Sequence, residues 1–293
     1  MSSVKKTKTS LMTKRVAAGG GSSSSGWFAS TPAKRETEIF YVKYSVCWVL
    51  FFSAIVVTEV YEQFDRWWYA AVGAVLMFPP ILISLFAPSW IGPVEASRPW
   101  HARFSVQSNA WIFVFSFIGN YFWTHYFYSL LGAKYTMDAH RLNDVPVFLI
   151  ACTHAYFILY HTLSTMLLRK TRSLGLVFWW ALILVMSYVT AYMETWTIER
   201  FPYYSFIDRD AMYIVGSMCY ALYFVVSFPM YYRIAENKAD EVHWTTGRAT
   251  VDAFGAAMIV TLLLDFWRLW IGKIVDGAVP SQVPFISPTG TLF

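Results

Sequence analysis

The sequence predicts an all-α fold, a polytopic membrane bundle of about seven transmembrane helices. Three observations carry that reading. Of 293 residues, 57% are hydrophobic and only 14% charged, against about 25% in ordinary soluble domains, and the mean hydropathy is +0.43. Seven apolar runs reach the roughly 20 residues that a helix needs to cross a bilayer. Runs such as residues 111–119 and 177–189 do not alternate apolar and polar positions, as membrane strands do. A single water-soluble globule and a disordered chain are both excluded.

In chain order, residues 1–35 are rich in Ser, Gly and Lys, with GGGSSSSG at 19–26, and read as a flexible cytosolic tail. No acidic residue precedes Glu36, a composition that organellar transit peptides share. No apolar h-region is present, so no cleaved secretory signal is expected. The membrane domain, residues 36–272, holds spans near 42–60, 67–87, 107–131, 147–168, 174–198, 211–230 and 251–271. Residues 273–293 read as a loose, Pro-containing C-terminal tail. Cys47, Cys152 and Cys219 lie far apart in apolar runs without a CxxC pair, and read as small core residues. No internal repeat is evident, which weakens a transporter of inverted repeats.

Lys and Arg set the orientation. Sixteen of the 23 precede or open the first span or lie in the second-to-third, fourth-to-fifth and sixth-to-seventh connections. Seven lie on the other side: Arg66, Lys134, Arg141, Arg200, Arg209, Arg268 and Lys273. The N-terminus is therefore expected in the cytosol and the C-terminus in the lumen. The net charge of +5 comes largely from the tail, so no nucleic acid partner is expected.

Ionisable groups inside a span are costly and functional by default. They are His125, His154, His161, Glu194, Asp265 and Arg268. Counting about 1.5 Å per residue, His125, His154, Glu194 and Asp265 lie ~6–10 Å from the same membrane face on four different helices. That common depth suggests one buried site. Each has a plainer reading: His125 as part of an aromatic belt, Asp265 and Arg268 as an i,i+3 charge pair, Glu194 as a side chain reaching up to water, His161 as a core group. No GxxxxGKS/T, GxGxxG or HExxH stretch occurs, no metal spacing is present, and no lysine lies deep in the last span for retinal.

Residues 109–136, NAWIFVFSFIGNYFWTHYFYSLLGAKYT, resemble the signature of the cycloeucalenol cycloisomerase family. The likeness continues at Thr153-His154, Tyr160-His161, Ala191-Tyr192, Glu194-Thr195, FPYYSFIDRDAMY (201–213), YFVVSFPM (223–230), VDAFGAAM (251–258) and LLDFWRLW (263–270). The two tails lie outside it. The resemblance implies an isomerase of sterol biosynthesis in the endoplasmic reticulum membrane. It would open the 9β,19-cyclopropane ring of a 4-methyl sterol of cycloeucalenol type to give a Δ8 sterol of obtusifoliol type.

That chemistry protonates C19, develops positive charge at C9 and removes a proton from C8; it needs no redox cofactor, metal or ATP. Burial favours the neutral form of a carboxylic acid, and Asp265 and Glu194 are the candidate acids. His125 or His154 would orient the acid or accept the departing proton. Tyr121, Trp123, Tyr126, Tyr192 and Trp267 are the nearest rings to stabilise the cation, and Asn120 or Arg268 would hold the 3-hydroxyl. Two readings from other classes stand beside this one. A non-catalytic sterol-binding membrane protein needs no acid. A proton-coupled transporter needs polar residues through to the opposite leaflet, where only His161 lies.

Overall fold

The computed structural model describes residues 26–198 and 201–276. Seven long helices run back and forth: α1 Pro32–Val57, α2 Arg66–Phe86, α3 over residues 104–131, α4 Val147–Leu174, α5 Leu176–Ile198, α6 Arg209–Tyr232 and α7 Thr246–Ile271. All but α3 are long and apolar enough to cross a membrane on composition alone. α3 is continuous through a π turn at Gly119–Trp123 but carries Ser105, Gln107, Ser108, Asn109, Ser116, Asn120 and His125 among its buried residues. Its polar groups are turned inward, so a bundle of seven shields the least apolar helix.

Two expected boundaries move. α1 begins at Pro32, four residues before the expected start of the membrane domain, and Lys34 and Glu38 are buried in its first turns. The physical reason is pairing. Lys34 Nζ donates to the Tyr232 and Ile234 carbonyls (2.8 and 2.7 Å) and meets Glu236 at 2.8 Å. Arg169 bridges Glu38 and Glu236 at 2.6 and 2.5 Å and also donates to the Trp27 carbonyl at 2.6 Å. At the other end, the Ile274 and Val275 amides donate to the Leu130 carbonyl, so the first residues after Gly272 return to the bundle. Residues 1–25 and 277–293, the greater part of both expected tails, lie outside the described residues, as does Arg200.

The connections gather at two ends. At the N-terminal end, Glu36 accepts from the Val94 and Glu95 amides, and Glu95 accepts from the Phe104 and Ser105 amides at the start of α3. Gly92 is required there, because a Cβ would run into the Glu36 carboxylate. Burial pushes the Glu95 carboxyl above its ordinary value, opposed by its bonds to Ser105 and Phe104. At the opposite end, β1 (Lys134–Tyr135) pairs antiparallel with β4 (Tyr204–Ser205), and β2 (Arg141–Leu142) with β3 (Val145–Pro146). The β2–β3 hairpin turns on Asn143 and Asp144, both at positive φ (51° and 56°), as a two-residue type I′ turn demands.

Candidate active site

α5 carries Glu194, and its inward stripe explains the placement. Trp179, Ile183, Ser187, Ala191 and Thr195 recur every four residues and are buried. Such a spacing aligns on one helix face, and small residues let the neighbouring α6 approach closely. Glu194 stands at the edge of that stripe. Its carboxyl faces the hydroxyls of Tyr160 on α4 and Tyr220 on α6, while Oε2 is buried without a hydrogen-bond partner. Tyr135, Tyr156, Tyr204 and Tyr223 lie within electrostatic reach of the same carboxylate. Among the described residues, no cationic side chain is paired with it in an ion pair. A lone acid under several phenols can keep and deliver a proton, and its electron-rich surroundings suit a passing carbocation.

Asp265 is built differently. Arg268 Nε and Nη2 both donate to its Oδ1, at 3.0 and 2.8 Å, and each side chain of the pair is 20% exposed. The Tyr126 hydroxyl stands beside this aspartate. Tyr126 is also within reach of Tyr223, and Tyr223 packs on Trp123 with ring centroids 4.5 Å apart. The rings therefore connect the two carboxyl groups: Glu194, Tyr223, Tyr126, Asp265. Trp123 is fully buried, and its indole donates to Thr261 at 2.9 Å.

The two histidines expected beside these acids are held elsewhere. His125 Nε2 pairs with the Asn143 carbonyl at 2.9 Å, while Asn143 Nδ2 donates to the Tyr121 carbonyl at 2.8 Å; together they stitch the β2–β3 hairpin to α3. His154 Nε2 pairs with Asn109 Oδ1 at 3.0 Å in the α2–α3–α4 interior, where Asn109 in turn donates to Ser84 and to the Pro80 and Ser105 carbonyls. Helix rise fixes depth but not direction around the axis, and these side chains turn to other neighbours. His161 Nδ1 donates to the Phe157 carbonyl (2.8 Å) within a ring of Trp111, Phe115, Phe157, Phe228 and Tyr231.

Of the remaining candidates, Asn120 binds the Ser116 carbonyl at 2.9 Å and receives Thr153 at 3.4 Å. Tyr121 stacks on Phe117. Tyr192 is exposed beside Tyr188 and Tyr213. Trp267 has a buried indole nitrogen without a partner and lines an apolar groove of ≈ 360 Å³ between α6 and α7, with Leu222, Leu263, Phe266, Trp270 and Ile271. Five of the eleven candidates sit on two π turns, Gly119–Trp123 and Trp267–Ile271. Single π turns inside α-helices are frequent at functional sites. Gly119 permits the first, since a Cβ would meet the Trp123 ring at 2.8 Å. Sequence reading missed Tyr160 and Tyr220. A hydroxyl on an apolar helix carries no signal by itself, and their common neighbour Glu194 appears only once α4, α5 and α6 are assembled.

A bundle of seven helices that buries a carboxyl group among phenols defines a class: a membrane protein with a candidate site for proton chemistry. No family model matches the chain, and no solved structure does. A curated protein of Arabidopsis thaliana, "Cycloeucalenol cycloisomerase", is 44% identical over 282 residues, covering 92% of this chain and 99% of that one. The chain belongs to the cycloeucalenol cycloisomerase family.

Proposed function

We propose that the protein is a sterol isomerase that opens the 9β,19-cyclopropane ring of a cycloeucalenol-type sterol to a Δ8, obtusifoliol-type sterol, with Glu194 as the acid. The observation that carries the assignment of the acid is the contrast between the carboxyl groups: Glu194 has a buried free oxygen and no counter-cation among the described residues, whereas Asp265 is engaged twice by Arg268. The strained C9–C19 bond is a feeble base, so its protonation demands an acid in place and dry. Glu194 gives its proton to C19 as the C9–C19 electrons become the new C–H bond. Positive charge at C9 is stabilised by the rings of Tyr160, Tyr220, Tyr223 and Trp123, by about 1–2 kcal/mol each when desolvated. The C8–H electrons then form the C8=C9 bond, and that proton leaves to a basic oxygen of the site.

The apolar groove beside Trp267 supports lateral access from lipid, and the Asp265–Arg268–Tyr126 group supplies donors and acceptors for the 3-hydroxyl. In this reading His125 and His154 position structure around the site. Residence in the endoplasmic reticulum membrane, with a cytosolic N-terminus and lumenal C-terminus, is supported by the family and by the distribution of Lys and Arg. Conversion of a cyclopropyl sterol by membranes containing the chain, in deuterated water and without added cofactor, tests the function. The expected product is the Δ8 isomer with deuterium in the C19 methyl group. A requirement for NADPH or oxygen would overturn the reading.

A further inference from the structure

We propose that the groove between α1 and α4 is a second sterol site, in which Ser45 and Thr162 bind the hydroxyl group of a 3β-hydroxysterol outside the isomerase centre. The groove has a volume of ≈ 280 Å³. Val42, Val46, Val49 and Leu50 line it from α1, and Leu159 and Leu163 from α4, so its only polar lining residues are Ser45 and Thr162. It opens to lipid, since Val46, Leu50 and Leu163 are exposed. The two hydroxyl residues lie at one level of antiparallel helices. Ser45 is ~20 Å from the start of α1 at Pro32, and Thr162 ~18 Å from the end of α4 at Leu174.

Their hydrogen bonding departs from the habit of this bundle. A helical hydroxyl elsewhere bonds back to a carbonyl three or four residues earlier, as Thr37 does to Ala33, Thr153 to Leu149, Ser164 to His161, Thr195 to Ala191 and Thr261 to Ala257. Ser45 and Thr162 are 3% and 2% exposed, and neither Oγ atom has a hydrogen-bond partner. Thr165, Ser187, Ser217 and Ser227 also lack one, but they do not line this groove. A buried hydroxyl left unpaired is costly, and hydrocarbon holds no water to relieve it. Both oxygens lie inside the groove walls, and a turn between staggered χ1 rotamers brings each to a molecule seated there.

The lining selects the ligand. None of these residues is charged, so nothing in the groove holds a phosphate or an ammonium headgroup. A hydroxyl group donates to one of the two opposed side chains and accepts from the other, and branched aliphatic walls suit a rigid apolar body. A sterol is one hydroxyl on such a body. That the lipid is a sterol rests on the proposed function; that it carries a hydroxyl rests on the groove alone. Tyr160, which meets Glu194, is not among the lining residues, so the site is separate from the acid.

A 3β-hydroxysterol carrying a diazirine on ring B, irradiated with the full chain in phospholipid nanodiscs, reads the site without turnover. Mapped adducts should fall on residues 42–50 and 159–163, in Glu194→Gln as in the wild type. Excess unlabelled sterol should remove them, whereas its 3-deoxy analogue should not. Ser45→Ala/Thr162→Val keeps the shape of the walls and should leave the amount of folded protein unchanged, since neither hydroxyl bonds within the protein. It should raise the half-saturating sterol concentration about tenfold, through the loss of two hydrogen bonds to the ligand. Val49→Trp, which fills the groove from an edge that is 37% exposed, should abolish the adducts. Adducts unchanged by loss of both hydroxyls, equal competition by the deoxy analogue, preferential labelling by a diazirine diacylglycerol, or a dimer that Val49→Trp dissociates would each overturn the proposal. Failure of the wild type to isomerise any cyclopropyl sterol, with these adducts present, would instead remove the isomerase reading and leave the second site standing.

Discussion

The two ends of the bundle bury polar groups by opposite means. At the N-terminal end Lys34, Glu38, Arg169 and Glu236 form a closed network in which every charge meets an opposite one within 2.8 Å. At the hairpin end a single carboxylate, Glu194, stands among phenols with one oxygen unpartnered. A paired network has no proton to spare and ties three segments of chain together. A carboxyl without a counter-charge among the described residues is held in place by its surroundings, as a reactive group must be. The same contrast recurs on a smaller scale between Glu194 and the Arg268-bound Asp265.

Cutting the network is the largest expected effect. Arg169→Ala leaves Glu38 buried without its ion-pair partner and Glu236 with Lys34 alone, and breaking a buried pair from one side costs about 3–5 kcal/mol. Folded protein should nearly vanish from membranes, as read by size-exclusion profile and thermal unfolding in detergent, whereas Glu194→Gln should leave both unchanged. Next come the phenols on the acid: Tyr160→Phe and Tyr220→Phe should each slow isomerisation by about tenfold, the loss of one charge-assisted hydrogen bond of ~1.5 kcal/mol, with protein amount maintained.

The network should also report on pH. Although burial opposes ionisation, the bonds from Arg169 and Lys34 hold Glu236 below its ordinary value of 4.5. A depressed carboxyl contributes stability that is present above pH 4.5 and lost as the pH falls below it. Thermal unfolding followed downward from pH 6 should weaken below about 4.5, and Glu236→Gln should flatten that slope. The smallest effect belongs to Tyr192, exposed on the membrane face: Tyr192→Phe should change turnover less than about twofold, as surface substitutions do.

Much of the fold was legible because helices in lipid announce themselves as apolar runs, and each of the seven expected spans overlaps one of the helices found, four of them lying wholly inside. Boundaries failed where polarity was turned inward. α1 starts at Pro32 because Lys34 and Glu38 find partners 200 and 131 residues away, and α3 starts at Phe104 because Ser105, Gln107, Ser108 and Asn109 face the interior. At the site, Glu194 and Asp265 stood out as intramembrane acids, but depth along a helix said nothing of direction around it. Depth alone therefore groups His125 and His154 with the acids, whereas His125 pairs with the Asn143 carbonyl and His154 with Asn109. Tyr160, Tyr220, Tyr135 and Tyr204 come from four separate segments, and only their convergence on one carboxyl marks them.

The central claim is that the unpaired acid, and not the paired one, does the chemistry. Glu194→Gln and Asp265→Asn, each keeping shape and hydrogen bonding, should be compared in the same membranes for conversion of a cyclopropyl sterol per folded protein. Glu194→Gln should lose about 10²–10⁴-fold, the usual loss when a general acid is removed, while Asp265→Asn should remain within about tenfold of the wild type, as expected for loss of a partly exposed pair. Turnover near the wild-type rate in Glu194→Gln, or the reverse order of the two variants, would contradict the account.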